Sequence, residues 1–386
     1  MTIPELPDDL VEEILSRVPA THLKRLRSTC KLWNRLFNDD WRFARKHSKE
    51  SPKQFTYLIM TKNFNIAPVS IDLNTTVEVK TEIEHSFNDP RYNYPVKFKT
   101  NRVIHCDGVL LCANFNKESI TCLWNPLTGE KRWIKSEEPN HRLCMFHLGY
   151  SQGDKDKKKS YKVLSINRDT NVFRMYEFDS NTWRSLGNIT PDWRMLFFPL
   201  SLKGNTYVFA EDETKKPSII SLLKIDYTTE KSVPVPLPYD DCIDFRLTCL
   251  SVVREEKLAV LLQRDRISKT EVWVTNKIDD ETTKVVSWSK VLALDLSPDV
   301  VLSNLGSFLL DEEKKVLVYC GTWCGTYYQP LIKNVIYIVG EDNIVTTMDF
   351  GVEDLNVCWL SILNYVPSLD RIKPHQGKRK RVDVNY

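Results

Sequence analysis

Four patterns in this 386-residue chain have residue types and spacings that chemistry could use. Gly149-Tyr150-Ser151-Gln152-Gly153 fits G-x-S-x-G, the strand-to-helix turn that exposes a nucleophilic serine in hydrolases. That turn needs a helix behind it. Here Asp154-Lys155-Asp156-Lys157-Lys158-Lys159-Ser160 follows, a charged stretch that reads as a solvated loop running into a strand at Tyr161. Ser151 is therefore expected in a hairpin loop. Cys320 and Cys324 would need a second cysteine pair to hold zinc, and none of the ten cysteines forms a Cys-x-x-Cys pair, so buried free thiols are expected. His141 and His147 lack a third ligand among the seven dispersed histidines. The acids at Asp240-Asp241, Asp279-Asp280-Glu281 and Asp311-Glu312-Glu313 read as solvated loop tips. With only 12 glycines and no Walker or dinucleotide loop, phosphate-cradling turns are scarce. No catalytic residue, metal or cofactor is expected.

Composition is that of an ordinary globular protein, with 42% hydrophobic and 27% charged residues. A net charge of +3 is too weak to imply a nucleic-acid surface. The acidic start MTIPELPDD is no signal peptide, and no stretch reaches the ~18 apolar residues that span a bilayer. The chain is expected to be soluble, reduced and intracellular, with no membrane partner.

The elements begin with helices. Pro7 stands at a helix start, with Asp8 and Asp9 in the first turn, and Leu10, Ile14 and Val18 recur every fourth residue. Pro19 ends that helix, and Thr21 is the expected N-cap of a second one. A third carries Trp33, Leu36 and Phe37 and is read as continuing through Trp41 and Phe43. So small a piece cannot bury this much apolar surface alone, which suggests a docking face for another protein.

Leu6-Pro7-x-x-Leu10, then Glu13-Ile14-Leu15-x-Arg17-Val18-Pro19, then Leu26-Arg27-x-x-Cys30-Lys31-x-Trp33 resembles the F-box. It departs lightly, with Thr21-His22 where plant members often have Lys-Ser. The resemblance implies binding of a Skp-type adaptor of a cullin–RING ubiquitin ligase. Carried residue by residue, it implicates Leu6, Pro7, Leu10, Ile14, Leu15, Val18, Pro19, Leu23, Leu26, Cys30, Lys31, Trp33 and Leu36. Some of these must hold the helices together instead; Leu6, Pro7, Leu15 and Val18 are favoured for the interface.

From about residue 55 the pattern turns to short β-branched and aromatic runs between turns. A unit of strand, Asp or Asn turn and returning strand recurs at Asp72, Asn125, Asp179, Asp226 and Asn276, and later at Gly340. The steps between the first five, about 50 residues each, match one four-stranded blade of a kelch-like β-propeller. The predicted fold is a small three-helix module (1–48) and an all-β body (49–370) of about six blades, with a β-sandwich as the alternative. Trp133, Trp183 and Trp288 are expected as inward aromatics of the returning strands.

Within the body, Cys106-Asp107-Gly108-Val109-Leu110-Leu111-Cys112, Leu123-Trp124-Asn125-Pro126-Leu127-Thr128-Gly129, and Leu148-Gly149-Tyr150 with Tyr161-Lys162-Val163-Leu164 resemble the plant F-box-associated interaction domain, type 1. That domain is regarded as the part that receives a target protein, so a non-catalytic ligase subunit is implied; a scaffold or nuclear regulator outside any ligase is the alternative. Segments 85–95, 136–147, 188–198, 239–246 and 321–330 are candidate target loops by position. The last residues, 371–386, read as a disordered basic tail. Its Lys378-Arg379-Lys380-Arg381 run is either a nuclear import signal or merely solvated, so nucleus and cytoplasm are both expected.

Overall fold

Proline and aspartate punctuation sets the N-terminal helices of the computed structural model, which describes residues 6–60, 66–72, 76–79, 88, 90, 96–100, 102–113, 120–136, 144–152, 158–167, 170, 172–196, 199–216, 219–239, 247–263, 269–278, 286–297, 300, 302–304, 306–324, 332–353 and 361–372. Pro7 precedes α1 (Asp8–Ser16), with Asp8 and Asp9 at the positive end of its dipole. Pro19 precedes α2 (Ala20–Leu26), so Thr21 lies inside that helix and is not its cap. The cap arrives from the linker: Thr21 donates its backbone N–H (3.2 Å) and its hydroxyl (2.7 Å) to Oε1 of Gln54. After α3 (Lys31–Asp39) the chain turns extended at Asp40, whose carboxylate accepts from the N–H groups of Arg42 (2.8 Å) and Phe43 (3.3 Å). This cap opens a separate helix, α4 (Trp41–Glu50), where the sequence reading had α3 continuing. Four helices replace the expected three.

The body is a ring of six antiparallel sheets. Its first blade holds β1 (Thr56–Met60), β2 (Ile66–Asp72) and β3 (Thr76–Val79). The second holds β4 (Arg102–Cys106), β5 (Val109–Ala113), β6 (Ile120–Trp124) and β7 (Lys131–Lys135). The third holds β8 (Cys144–Ser151), β9 (Ser160–Asn167), β10 (Val172–Glu177) and β11 (Thr182–Leu186). In the fourth, β12 (Trp193–Met195) and β13 (Leu200–Leu202) share one edge of β14 (Asn205–Asp212), followed by β15 (Ile219–Asp226) and β16 (Lys231–Val235). The fifth holds β17 (Leu247–Val253), β18 (Lys257–Gln263), β19 (Thr270–Thr275) and β20 (Trp288–Leu294). The sixth holds β21 (Ser307–Asp311), β22 (Val316–Cys324), β23 (Ile332–Gly340) and β24 (Val345–Glu353).

The last strand, β25 (Ser361–Tyr365), returns to pair with β1 and supplies the innermost strand of the first blade. Inner strands then touch in sequence around the axis: β25, β4, β8, β13, β17, β21 and back to β25. Six apolar clusters fill the gaps, one between each pair of neighbouring blades. A sandwich would have one seam between two sheets, so the propeller holds and that alternative falls. Burial on both sides also explains why β5 and β6 are apolar throughout: every residue of each is buried. The rim is different. Outer strands β7 and β16 carry Lys131, Arg132 and Lys135, and Pro234, which discourage pairing with another edge.

Trp133, Trp183 and Trp288 lie on the outer strands β7, β11 and β20, half-buried against the clusters between blades. The indole N–H groups of Trp183 and Trp288 donate to the carbonyls of Lys135 (2.7 Å) and Pro236 (2.6 Å) in the preceding blade. Asp107 and Gly108 both have positive φ (46° and 80°), which fits a tight hairpin between β4 and β5. A Cβ on Gly108 would sit 2.4 Å from Cβ of Ser368, so the returning chain end needs glycine there.

Candidate functional site

The chain places its surfaces by topology. In the second to sixth blades the hairpin joining the first two strands and the one joining the last two emerge on the same face of the ring. The helices sit on that face: Leu127, from the turn after β6, and Leu369, beyond β25, join Leu15, Leu23, Phe37 and Phe43 in one buried cluster. The remaining loops open on the opposite face. Of the five candidate target segments, most residues lie outside the described ones.

The structure divides the thirteen apolar and basic residues of the helical module. Leu15 and Leu23 are buried at 4% and 0% exposure, so Leu15 is an interior residue and not part of an open interface. Val18, Leu26, Trp33 and Leu36 pack half-buried against the same cluster, and Pro19 and Cys30 are also half-buried. Leu6 (56%), Leu10 (48%) and Ile14 (54%) stand exposed, with Pro7 and Lys31. Leu32, at 39%, joins the exposed set, though the sequence motif does not single it out. Position on the helix explains the split: Leu10 and Ile14 are four apart on one face, while Leu15 is rotated inward.

Polar bonds fix that outward face. Glu13 pairs with Lys46 at 2.7 Å and Arg17 at 2.5 Å, tying α1 to α4. These contacts, Lys46 first, lower the Glu13 pKa. The hydroxyl of Ser16 donates to Glu50, and Nε2 of buried His47 donates to the carbonyl of Val18 (2.7 Å). Burial lowers the His47 pKa, so the ring is neutral there.

The chain end is the mortar between module and ring. Arg371 pairs with Glu130 at 2.5 Å and donates to the carbonyl of Asn38 at the end of α3. The Ile372 N–H donates to Glu130 (2.9 Å), and the Asn125 amide donates to the carbonyls of Ser368 (3.0 Å) and Asp370 (2.8 Å). Arg371 and Ile372 are therefore part of the fold, so the expected tail begins later than residue 371. The run Lys378–Arg381 lies outside the described residues.

Beneath the helices, hairpins from several blades bring charges together near the axis. Lys159 bridges Asp107 (2.7 Å) and Asp370 (2.8 Å), and the Tyr150 hydroxyl donates to Asp107 (2.9 Å). Burial works against the Lys159 charge, but the two carboxylates outweigh it and raise its pKa. Burial likewise opposes the Asp107 charge, and Lys159 and Tyr150 hold that carboxyl well below its usual range. Lys159 was expected in a solvated loop; its partners lie 52 and 211 residues away, beyond any local signal.

Opposite this triad, the Gly108 N–H donates to Nε2 of His105 (2.9 Å), which leaves Nδ1 as the protonated nitrogen, 3.3 Å from Glu255. Burial pushes His105 down to about 4. Burial, followed by the charge of Asp107, pushes Glu255 up to about 8. The contact thus joins two neutral groups at pH 7 and is not an ion pair. A carboxyl whose folded pKa is raised contributes stability that is full below its ordinary value and is lost as pH rises through 8. Wild type is expected to lose melting temperature between about pH 7 and 8, above the range where His105 titrates, and to level off beyond it, and Glu255→Gln to flatten that loss. A difference in melting temperature that stays constant across the window would show Glu255 already ionised.

Ser151 ends β8, and the next described element is strand β9 rather than a helix, so the G-x-S-x-G turn lacks the elbow's context. Gly149 has a packing reason instead: a Cβ there would lie 2.3 Å from the Tyr227 ring. Among the described residues no cluster of three His, Cys, Asp or Glu could hold a metal. His147 is fully buried on β8, and His141 lies outside the described residues.

Comparison with known proteins matches this two-part layout. The F-box domain model matches residues 3–45, and the F-box associated beta propeller domain model matches residues 57–372. F-box protein ETP2 of Arabidopsis thaliana is 49% identical over 98% of this chain and 98% of its own length. The putative F-box/kelch-repeat protein At3g19410 of the same plant is 47% identical over 99% of this chain and all of its own. F-box protein ETP1, also from Arabidopsis thaliana, is 44% identical over 99% of this chain and all of its own. With four helices set on a closed six-bladed ring and both domain models matched in order, the chain belongs to the F-box proteins that carry an F-box associated β-propeller domain.

Proposed function

We propose that this protein is the substrate-receptor subunit of a Skp–cullin–RING ubiquitin ligase. The observation that carries the reading is the exposure of Leu6, Leu10, Ile14 and Leu32, in a module whose buried apolar residues share one cluster with Leu127 and Leu369 of the propeller. These exposed residues suit the apolar surface of a Skp-type adaptor, which links to cullin and RING subunits. The opposite face of the ring suits a target protein. The chain itself catalyses nothing in this reading: it raises the effective concentration of a target lysine near the charged ubiquitin-conjugating enzyme.

The test is reconstitution of the full-length protein with a Skp-type adaptor, cullin and RING subunit. Proteins captured through the propeller should gain ubiquitin only when the adaptor is present. Adaptor binding without modification of any captured protein, with no accumulation of partners under proteasome block, would replace the ligase reading with that of a scaffold.

A further inference from the structure

A cavity of about 820 Å³ lies between the helical module and the ring, over the third to fifth blades. Its size is that of a small-molecule site. Arg45 and Lys49 of α4 and Lys53 of the linker line one side, and Lys203 and Lys224 of the fourth blade line the other. The acids around it are already engaged. Asp107 holds Lys159, Glu256 holds Lys277 at 2.8 Å, and Asp226 accepts from the N–H groups of Thr228 and Thr229. Glu255 lies 3.3 Å from His105.

Four cations are left over: among the described residues the charged groups of Arg45, Lys49, Lys53 and Lys203 make no ion pair or hydrogen bond. Lys53 is reached by solvent in the cavity yet is ringed by protein at longer range, so desolvation lowers its pKa first and the charge of Lys203 lowers it further. Seven cations line the hollow against four acids, an excess that favours an anion inside it.

We infer that this cavity binds a small soluble polyanion bearing two or more phosphate groups, clamped between Lys53 of the linker and Lys203 of the ring. Lysine ammonium groups on both walls suit separate phosphates better than one carboxylate. Such a ligand joins α4 and the linker to the fourth blade, so it stiffens the seat of the helices on the propeller. The inference stands apart from the ligase reading, since it concerns the seam and not the exposed apolar residues.

The test is calorimetric titration of the full-length protein with inorganic tripolyphosphate, alongside thermal melts. Wild type should bind with an affinity that falls steeply as salt rises, and should melt at higher temperature when loaded. Lys53→Ala/Lys203→Ala should weaken binding about tenfold or more, which is the scale expected on losing two charge contacts. The same variant should keep a single cooperative melt without ligand, which verifies that it folds. Lys135→Ala/Lys314→Ala, both exposed on other blades, should bind as wild type does. Absence of wild-type binding, or equal loss in both double variants, would overturn the inference. Inorganic phosphate alone should bind much more weakly; equal affinity for it would show a single-phosphate site.

Discussion

Removing residues 361–386 is expected to abolish cooperative unfolding of the propeller. The deletion takes away β25, which closes the first blade on β1 through five residue pairs and touches the inner strands β4 and β21 on either side. It also removes Ile362, Tyr365, Leu369 and Ile372, all buried at 5% exposure or less. Each such side chain contributes ~1.5–3 kcal/mol, so four contribute ~6–12 kcal/mol before the lost strand pairing is counted. A domain is stable by only ~5–15 kcal/mol in total. The β1 edge is also left open to pair with other chains. The truncated protein should elute as aggregate and show no sharp transition by circular dichroism. Ile362→Ala, a milder form of the same damage, should cost ~2–5 kcal/mol while leaving a single transition. A truncated protein that melts within a few degrees of wild type would mean that the ring does not depend on its closing strand.

The blade count was legible because several blades supply their own turn chemistry. Asn125 accepts from the N–H groups of Leu127 (2.9 Å) and Thr128 (3.2 Å), and Asp226 does the same for Thr228 and Thr229. These bonds span two or three residues, so a local pattern records them. In the sixth blade the role passes from Gly340 to Asp342, which accepts from the Ile344 N–H (3.1 Å). Features set by distant contacts were not legible. Gln54 caps α2 from the linker, and Arg371 reaches the end of α3 from the far end of the chain. The lysines around the cavity come from separate hairpins and a helix, and only closure of the ring brings them together. Lys159, read as one of a run of solvated lysines, differs from its neighbours only by where the third blade's first hairpin lands.

The helical module shows the same limit within a single helix, and it yields the second large effect. Periodicity placed Leu10, Ile14, Leu15 and Val18 on one broad stripe, which cannot say where interior ends and interface begins. The packing draws that line between Ile14, 54% exposed, and Leu15, 4% exposed. Leu10→Asp/Ile14→Asp is therefore expected to leave melting unchanged to about 0.5 kcal/mol, as for surface substitutions generally. Its effect should fall on the adaptor. Two apolar anchors of ~1.5–3 kcal/mol each are lost, so affinity for a Skp-type adaptor should drop ~100-fold or more. Leu15→Asp should behave in the opposite order: a carboxylate placed beside Leu23 and Phe43 destabilises the module, and adaptor binding fails because the helices no longer hold their shape. Melting and adaptor pull-down on both variants separate the two cases. Intact binding by Leu10→Asp/Ile14→Asp would remove these exposed residues from the interface and leave the ligase reading without its carrying observation.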